Sequence, residues 1–242
     1  MKNSLQPRCI GQMKVQCDNG LCDRLRMIFS YLRKVQLTKS KLTVCWQPNT
    51  KCNGHFLDVF EPVDDIVFTE DSFNVDYNGW QPARGFHPED RHPHIFIYQD
   101  LTLRKELQVE VNRLREEMGK YVAVHVRRTD KTWNAPGYPG LKKLTQDVEF
   151  FQAIDNSGCE SIFLATDCMD VQHVFKERYG DRLFWAEEIL PTEKLRQTSL
   201  EGAGIDLFTC IFANKFVGGK LTGFSRFIEQ YRHYKKSNFT FL

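Results

Sequence analysis

Short β-rich runs alternate with helical stretches along this chain. Hydrophobic residues recur at the three- and four-residue spacing of one helical face within residues 21–34 and 101–118. The nearly continuous apolar run at residues 121–126 is typical of a strand that is buried on both faces of a parallel sheet. This alternation predicts an α/β fold in which helices cover the faces of parallel sheets.

The same patterns predict the remaining elements. The other predicted strands are 41–46, 66–68, 94–98, 161–165, 183–185 and 216–217. The other predicted helices are 146–155, 169–179, 199–213 and 224–234. Residues 70–94, with three prolines and little periodicity, read as a long irregular stretch. Two βα arrays of about equal length meet near residues 118–120, which predicts an N-terminal domain at 1–118 and a C-terminal domain at 119–242.

Composition narrows the class of protein. Of the 242 residues, 41% are hydrophobic and 26% are charged, which is ordinary for a globular protein and argues against disorder. The net charge of +2 is too small for a general nucleic-acid binder, so any anion site must be local. No apolar run approaches the roughly 20 residues that span a bilayer, and residues 1–11 lack the apolar core of a signal peptide. We expect no membrane span and a soluble protein.

The eight cysteines form no Cys-x-x-Cys pair and no Cys/His spacing of a metal site. Several of them lie inside apolar runs, which predicts reduced, buried thiols that act as small hydrophobic residues. Disulfide frameworks belong mostly to smaller secreted domains. This usage favours a reducing, cytoplasmic location, although the lumenal domain of a larger protein stays open.

Charged side chains follow the predicted strand 121–126 directly. Arg127 and Arg128 come where this strand should end, and ligands of open α/β sheets bind outside the carboxyl ends of the strands. A guanidinium group offers a fixed fork of donors that matches phosphate oxygens. Asp130, close behind, can orient an arginine or accept a proton. On its own the cluster could be a set of surface ion pairs.

Two later strand ends add to this picture. Thr166 and Asp167 end the next strand, and a glycine-rich segment at 218–225 follows another strand and opens a helix. Glycine permits close approach of a ligand to the backbone, and a helix N-terminus attracts phosphate. Thr222 or Ser225 could equally serve only as a helix cap. Together the three strand ends supply the groups of a nucleotide-diphosphate site.

Residues 125–131, with the sequence HVRRTDK, resemble the signature of the α1,6-, α1,2- and protein O-fucosyltransferase superfamily, which includes bacterial NodZ. The match to the α1,6-type motif is complete over seven residues. Weaker resemblances lie at residues 165–167, at 199–206 together with 222–225, and at 19–26, which is similar to the family's N-terminal glycine-rich motif. Their order agrees with the family across most of the chain.

The resemblance implies a GT-B fold, in which two Rossmann-like domains face a cleft. It implies an inverting, metal-independent transfer of fucose from GDP-fucose, with residues 1–118 on the acceptor side and residues 119–242 on the donor side. Arg127 would then bind the β-phosphate, His125 and Asp206 would hold the guanosine, and Ser225 would touch the diphosphate.

From the residues and the resemblance together, we predict the following site. The catalytic residues are Arg127, Asp130 and Lys131, with Asp130 as the best available general base. The donor-binding residues are Gly20, Arg24, His125, Arg128, Thr166, Asp167, Asp206, Thr222, Phe224 and Ser225. No metal and no cofactor is expected. The expected partners are a nucleotide sugar and a glycan or glycoconjugate acceptor, without nucleic acid.

Two positions depart from the family pattern. Cys22 replaces the second glycine of the N-terminal motif, and Ala135 stands where the α1,6 enzymes carry a glutamate. Two alternatives therefore stay open. One is a GT-B transferase that uses another nucleotide sugar, such as GDP-mannose or a UDP- or dTDP-sugar. The other is a catalytically silent module that binds a nucleotide or a glycan.

Overall fold

The computed structural model describes residues 11–72, 77–78, 101–129, 145–189 and 198–238. The strands in these ranges are β1 (Gln12–Cys17), β2 (Lys41–Trp46), β3 (Ile66–Thr69), β4 (Tyr77–Asn78), β5 (Tyr121–Val126), β6 (Ser161–Thr166), β7 (Leu183–Phe184) and β8 (Lys215–Gly218). The helices are α1 (Leu21–Thr38), α2 (Phe56–Val59), α3 (Lys105–Met118), α4 (Asp147–Asp155), α5 (Met169–Tyr179), α6 (Leu200–Phe212) and α7 (Gly223–Asn238).

The strands form two four-stranded sheets, with the orders β3-β2-β1-β4 and β7-β6-β5-β8. Every pairing between these strands is parallel. In each sheet the order reverses beside the first strand of that sheet, β1 or β5, and a crevice opens at such a switch point. The predicted α/β class with parallel sheets is confirmed, and the change of sheet falls between α3 and β5.

Most predicted elements are present with small shifts at their ends. β2, β5 and α5 have the predicted bounds, while α1 begins at the predicted Leu21 and continues for one more turn, to Thr38. Ser199, the predicted first residue of α6, is instead its N-cap, and its hydroxyl accepts a hydrogen bond from the Gly202 amide. The strand predicted at 94–98 and most of the irregular stretch at 70–94 lie outside the described residues.

The helix that was predicted from residue 101 begins only at Lys105. Leu103 instead forms an antiparallel bridge with Phe60, and the Arg104 amide donates to the Val59 carbonyl. Both Leu101 and Leu103 are buried in this extended segment. The apolar spacing that predicted a helix from residue 101 therefore includes Leu101 and Leu103, which are buried in the extended segment before the helix and not on a helical face.

Three of these strands and helices were not predicted from the sequence: β1, α2 and β4. In β1 only Val15 and Cys17 are buried, so the strand carries too few apolar residues to give a clear pattern. The short helix α2 depends on a local cap, in which the Asp58 carboxylate accepts a hydrogen bond from the His55 amide.

A single hydrophobic cluster extends from the first sheet to the second. It includes Val15 and Leu42 of the first sheet and Ala123 and Phe163 of the second. α3 packs against α6, and α7 packs against both α1 and α6, so these helices lie between the sheets. A second cluster, which includes Phe150, fills the other face of the second sheet. The division into domains at residue 118 therefore separates two sheets but not two cores, and it stays a prediction.

Two further sequence expectations concern cysteines and membrane spans. Seven of the eight cysteines lie in the described residues as free thiols, and six of these seven are buried, as predicted. In the part of the chain that the structure describes, no helix combines the length and the apolar character that crossing a bilayer would need.

Candidate active site

A cleft of about 600 Å³ opens at the carboxyl ends of the strands, where the two halves face each other. The residues that line it come from the β1–α1 turn, the loop after β2, the ends of β5 and β6, the start and first two turns of α6, and the first turn of α7. They are Gly20, Leu21, Cys22, Asp23, Asn49, Thr50, Lys51, Cys52, Asn53, His125, Arg127, Thr166, Asp167, Thr198, Ser199, Leu200, Ala203, Asp206, Gly223 and Phe224.

The two adjacent arginines after β5 have separate environments. Arg127 lines the cleft, with its Nε 3.9 Å from Asp167 Oδ2. Arg128 lines a different depression, where its Nη2 donates to the Thr145 carbonyl at 2.9 Å and pairs with Asp147 Oδ1 at 2.5 Å. Because successive side chains of an extended strand point to opposite faces, only the first arginine reaches the cleft.

Asp167 organises the end of β5 from the neighbouring strand. Its carboxylate accepts hydrogen bonds from the Arg128 amide at 3.0 Å and from Thr129 Oγ1 at 2.6 Å, besides its ion pair with Arg127. The Thr166 hydroxyl donates to the Val126 carbonyl at 2.7 Å. These contacts hold the Arg127 guanidinium at the wall of the cleft before any ligand binds.

His125 lies on the floor of the cleft, with only 7% of its surface exposed. Its Nδ1 is 2.8 Å from Ser225 Oγ, and its ring stacks on Phe224 with 4.6 Å between the ring centroids. Burial, together with the positive charge of Arg127, lowers the pKa of His125 to about 3. The imidazole is therefore neutral near pH 7.

The segment between β8 and α7 packs tightly against His125. The Gly219 amide donates to the His125 carbonyl at 3.0 Å, and a Cβ at Gly218 would lie 2.7 Å from Ser225 Cβ. Thr222 Oγ1 accepts a hydrogen bond from the Ser225 amide and so caps the first turn of α7. Thr222 therefore acts as a helix cap, which was one of its two predicted roles, whereas the Ser225 hydroxyl contacts His125.

Asp206 reaches the cleft from α6 and is 8% exposed. Burial, and next the charge of Glu187, raise the pKa of Asp206 well above its ordinary value. Glu187 itself accepts hydrogen bonds from the amide and the hydroxyl of Ser199, the N-cap of α6. Glu187 was not singled out from the sequence, because no motif surrounds it.

Arg24 supports the cleft from below rather than lining it. Its Nε donates to the Asn19 carbonyl at 2.6 Å and its Nη1 donates to the Gln47 carbonyl at 3.0 Å. The guanidinium also lies over the Trp46 ring, 4.7 Å from its centroid. Arg24 therefore ties the β1–α1 turn to the loop after β2.

The loop after β2 contributes a tight turn to the cleft wall, and this turn was not predicted from the sequence. Asn49 Oδ1 accepts from the amides of Lys51 and Cys52, and Asn49 Nδ2 donates to the Asp18 carbonyl. The exposed Lys51 side chain is carried at the tip of this turn. An asparagine that bonds its own backbone two residues on is a known turn signal, but it does not predict a place in a site.

The predicted site residues thus fall into three groups. Those that line the cleft are Gly20, His125, Arg127, Thr166, Asp167, Asp206 and Phe224. Those placed behind or beside it are Arg24, Arg128, Thr222 and Ser225. Asp130 and Lys131, together with Ala135, lie outside the described residues.

Two parallel α/β sheets whose strand ends face one cleft define a GT-B fold, and solved structures of this class match most of the chain. NodZ α1,6-fucosyltransferase co-crystallized with GDP has a TM-score of 0.59 at 14% identity, over 90% of this chain and 92% of that one. Fucosyltransferase NodZ from Bradyrhizobium has a TM-score of 0.58 at 13% identity, over 90% and 93%. POFUT1 in complex with GDP-fucose has a TM-score of 0.56 at 11% identity, over 92% and 94%.

At the level of sequence, neither the protein-family models nor the curated proteins include a match to this chain. The identities to the solved structures are 11–14%, so the structural likeness establishes the fold alone.

Proposed function

We propose that this protein is an inverting, metal-independent glycosyltransferase that transfers fucose from GDP-fucose to a glycan hydroxyl. The observation that carries the proposal is the placement of Arg127 in the cleft of a GT-B fold, beside a neutral His125 and the N-terminus of α7. The likeness to structures that contain GDP or GDP-fucose supports this choice of donor.

In this proposal the second half binds the donor. The Arg127 guanidinium offers two parallel N–H donors to the diphosphate, and its contact with Asp167 fixes its orientation. Asp206 accepts hydrogen bonds from the N–H groups of guanine, whose adjacent donors suit a carboxylate. Such contacts stabilise the charged form of Asp206, whose pKa burial and Glu187 otherwise raise.

In the reaction, the acceptor oxygen bonds to C1 of the sugar on the face opposite the leaving group. The bond between C1 and the phosphate oxygen breaks, and its electron pair leaves with GDP. Arg127 stabilises the negative charge that grows on the diphosphate, so its contribution increases in the transition state. Asp130, as the general base, and Lys131 remain proposals from the sequence.

Two alternatives compete with this function. A few contacts around the base decide which nucleotide sugar is used, so another GDP-sugar or a UDP- or dTDP-sugar would fit the same architecture. The departures at Cys22 and Ala135 motivate a module that binds without turnover.

Thermal unfolding in the presence of GDP, UDP, CMP and dTDP tests the proposed donor. A ligand at ~100 times its Kd adds about 2.7 kcal/mol to the stability of the folded state. At one common concentration the nucleotide with the lowest Kd raises Tm the most, and we expect that nucleotide to be GDP. Arg127→Ala should abolish that shift, whereas Arg113→Ala, a change on the exposed face of α3, should keep it. Equal shifts from GDP and UDP would contradict the GDP assignment.

Release of GDP from GDP-fucose tests turnover. Hydrolysis without acceptor should continue in EDTA, because Arg127 supplies the positive charge at the diphosphate. Activity that EDTA abolishes and manganese restores would contradict metal independence, and binding without any turnover would favour the silent module.

A further inference from the structure

Within the described residues, three carboxylates line the cleft: Asp23, Asp167 and Asp206. Asp167 already accepts two hydrogen bonds and faces Arg127, so its oxygens are engaged in holding the end of β5. Asp206 is buried on α6 and lies beside Glu187. Asp23 differs from both, because it comes from the first half and 38% of its side chain is exposed.

Asp23 lies where the N-termini of two helices meet. It is in the first turn of α1, and its Oδ1 is 3.7 Å from Arg26 Nη1. Gly223, the first residue of α7, faces the same carboxylate so closely that a Cβ at position 223 would lie 2.6 Å from Asp23 Oδ1. The absence of a side chain at Gly223 therefore leaves the space that the Asp23 carboxylate occupies.

Asp23 and Arg127 lie at the same end of the cleft. The Cys22 thiol is within electrostatic reach of both: burial and then the Asp23 charge raise the pKa of Cys22, and the Arg26 and Arg127 charges lower it. The positive charges that the structure brings to this end of the cleft include Arg26, which pairs with Asp23, and Arg127 from the second half. A hydroxyl acceptor that enters from the first half would meet Asp23 on its way to a sugar held beside Arg127.

We infer that Asp23 is the general base that deprotonates the acceptor. As the acceptor oxygen bonds to C1 of the sugar, its proton passes to a carboxylate oxygen of Asp23. The bond from C1 to the β-phosphate oxygen breaks, and its electron pair leaves with GDP, which Arg127 stabilises. This role rests on the proposed function and assigns the base to Asp23 of the first half instead of Asp130, the base predicted from the sequence.

A purely structural role for Asp23 is the competing explanation. A negative charge near the N-termini of α1 and α7 favours both helices whether or not it accepts a proton. The test must therefore separate proton transfer from folding and from donor binding. Two nucleophiles, water and azide, distinguish these roles. Water must lose a proton to a base when it attacks the sugar, whereas azide has no proton to lose.

The experiment measures GDP release from GDP-fucose with water alone and with added azide. In Asp23→Asn, hydrolysis should fall by roughly 10²–10⁴-fold, the usual contribution of a general base, while turnover with azide is kept. The Tm shift from GDP should be unchanged. Asp23→Glu, which keeps a carboxylate, should retain part of the hydrolysis. Asp64→Asn, on an exposed turn of the same half, is the matched control and should behave as wild type.

Several results would overturn the role. Unchanged hydrolysis in Asp23→Asn, or equal loss of the water and azide reactions, would show that Asp23 is not a base. Loss of hydrolysis alone in Asp130→Asn, with Asp23→Asn active, would assign the base to Asp130. A wild-type protein that binds no GDP would contradict the proposed function and this role together, whereas GDP binding with an active Asp23→Asn contradicts this role alone.

Discussion

Arg127 and Arg128 are chemically identical neighbours with different surroundings. One guanidinium lines the cleft and faces Asp167, and the other is held by the Thr145 carbonyl and the Asp147 carboxylate outside it. Successive side chains of an extended backbone point to opposite faces, so the position of each arginine in this alternation decides which of them can reach a ligand. The chemistry of the side chain, which is the same for both residues, does not distinguish them.

Substitution of each arginine should therefore have a different effect. Arg127→Ala should lower turnover by roughly 10²–10³-fold, the scale of losing one preorganised donor to the leaving group. Arg127→Lys should restore little, because an ammonium group cannot reproduce the bidentate fork. Arg128→Ala should instead cost about 1–3 kcal/mol of stability, since it leaves the carbonyl of the buried Thr145 without its donor and removes the ion pair with the half-exposed Asp147. Steady-state kinetics measure the effect of each variant on turnover, and urea unfolding measures its effect on stability. Turnover lost only in a well-folded Arg128→Ala would assign the catalytic role to Arg128 instead of Arg127.

His125 should make the protein sensitive to acid. Its pKa is about 3 in the folded protein, against about 6.5 in an unfolded chain. As the pH falls below about 6.5, the unfolded state binds a proton that the folded state does not, so stability falls by up to about 1.4 kcal/mol per pH unit until the pH nears 3.

The check is urea unfolding at several pH values from about pH 7 down to about pH 4. His125→Asn removes the titrating group and should flatten the fall in stability. The matched change at the exposed His173 should not flatten it. An unaltered pH dependence in His125→Asn would show that other groups control acid unfolding.

At the scale of an element, the turn between Asn49 and Cys52 links two loops of the first half. The backbones of Asn49 and Cys52 pair in an antiparallel bridge, and the Asn49 side chain reaches across to the Asp18 carbonyl. The turn is therefore fixed to the β1–α1 turn that carries Gly20 and Asp23 into the cleft. One asparagine thus couples the two segments of the first half that a substrate would meet.

Asn49→Ala should loosen this wall of the cleft. It removes two acceptor contacts and one donor contact, each worth about 1 kcal/mol. Because this turn holds the β1–α1 turn that carries Gly20, which the sequence predicts to bind the donor, the change should raise the KM for GDP-fucose more than it lowers kcat. Asn49→Asp is the matched variant, since it keeps the acceptor for the Lys51 and Cys52 amides and loses only the donor to Asp18. A KM unchanged in Asn49→Ala would show that the turn does not shape the donor site.

At the scale of the whole molecule, the two halves share a hydrophobic core. The cluster joins residues of both sheets through α3, α6 and α7, and α7, the last described helix, packs back against α1. Such a connection makes separate unfolding of the halves unfavourable, because either half alone would expose the apolar face that the other half covers.

We therefore expect one cooperative unfolding transition for the chain, with equal calorimetric and van't Hoff enthalpies. A fragment of residues 1–118 should not fold alone, because it lacks the helices α6 and α7 that cover its core. Circular dichroism and scanning calorimetry of both proteins provide the measurement. A cooperative melt of the isolated fragment would establish an independent domain.

The sequence by itself determined the α/β class, most helices and strands, and the main cationic residue of the cleft. Local causes explain this: apolar periodicity reports which face of an element is buried, and a charged cluster directly after the buried strand β5 marks the end of a parallel sheet. β2, rich in β-branched and aromatic residues, and β5, a nearly continuous apolar run, have the bounds that their residues predict.

Only the tertiary structure decided which groups meet in the cleft. It placed Arg24 beneath the loops, assigned Thr222 to a helix cap, and brought Asp23 against Gly223 across 200 positions of sequence. Contacts between such distant segments depend on how two sheets pack through shared helices, and no local pattern encodes them. For the same reason the weakly patterned β1, which places the Asp23 turn, was found only in the fold.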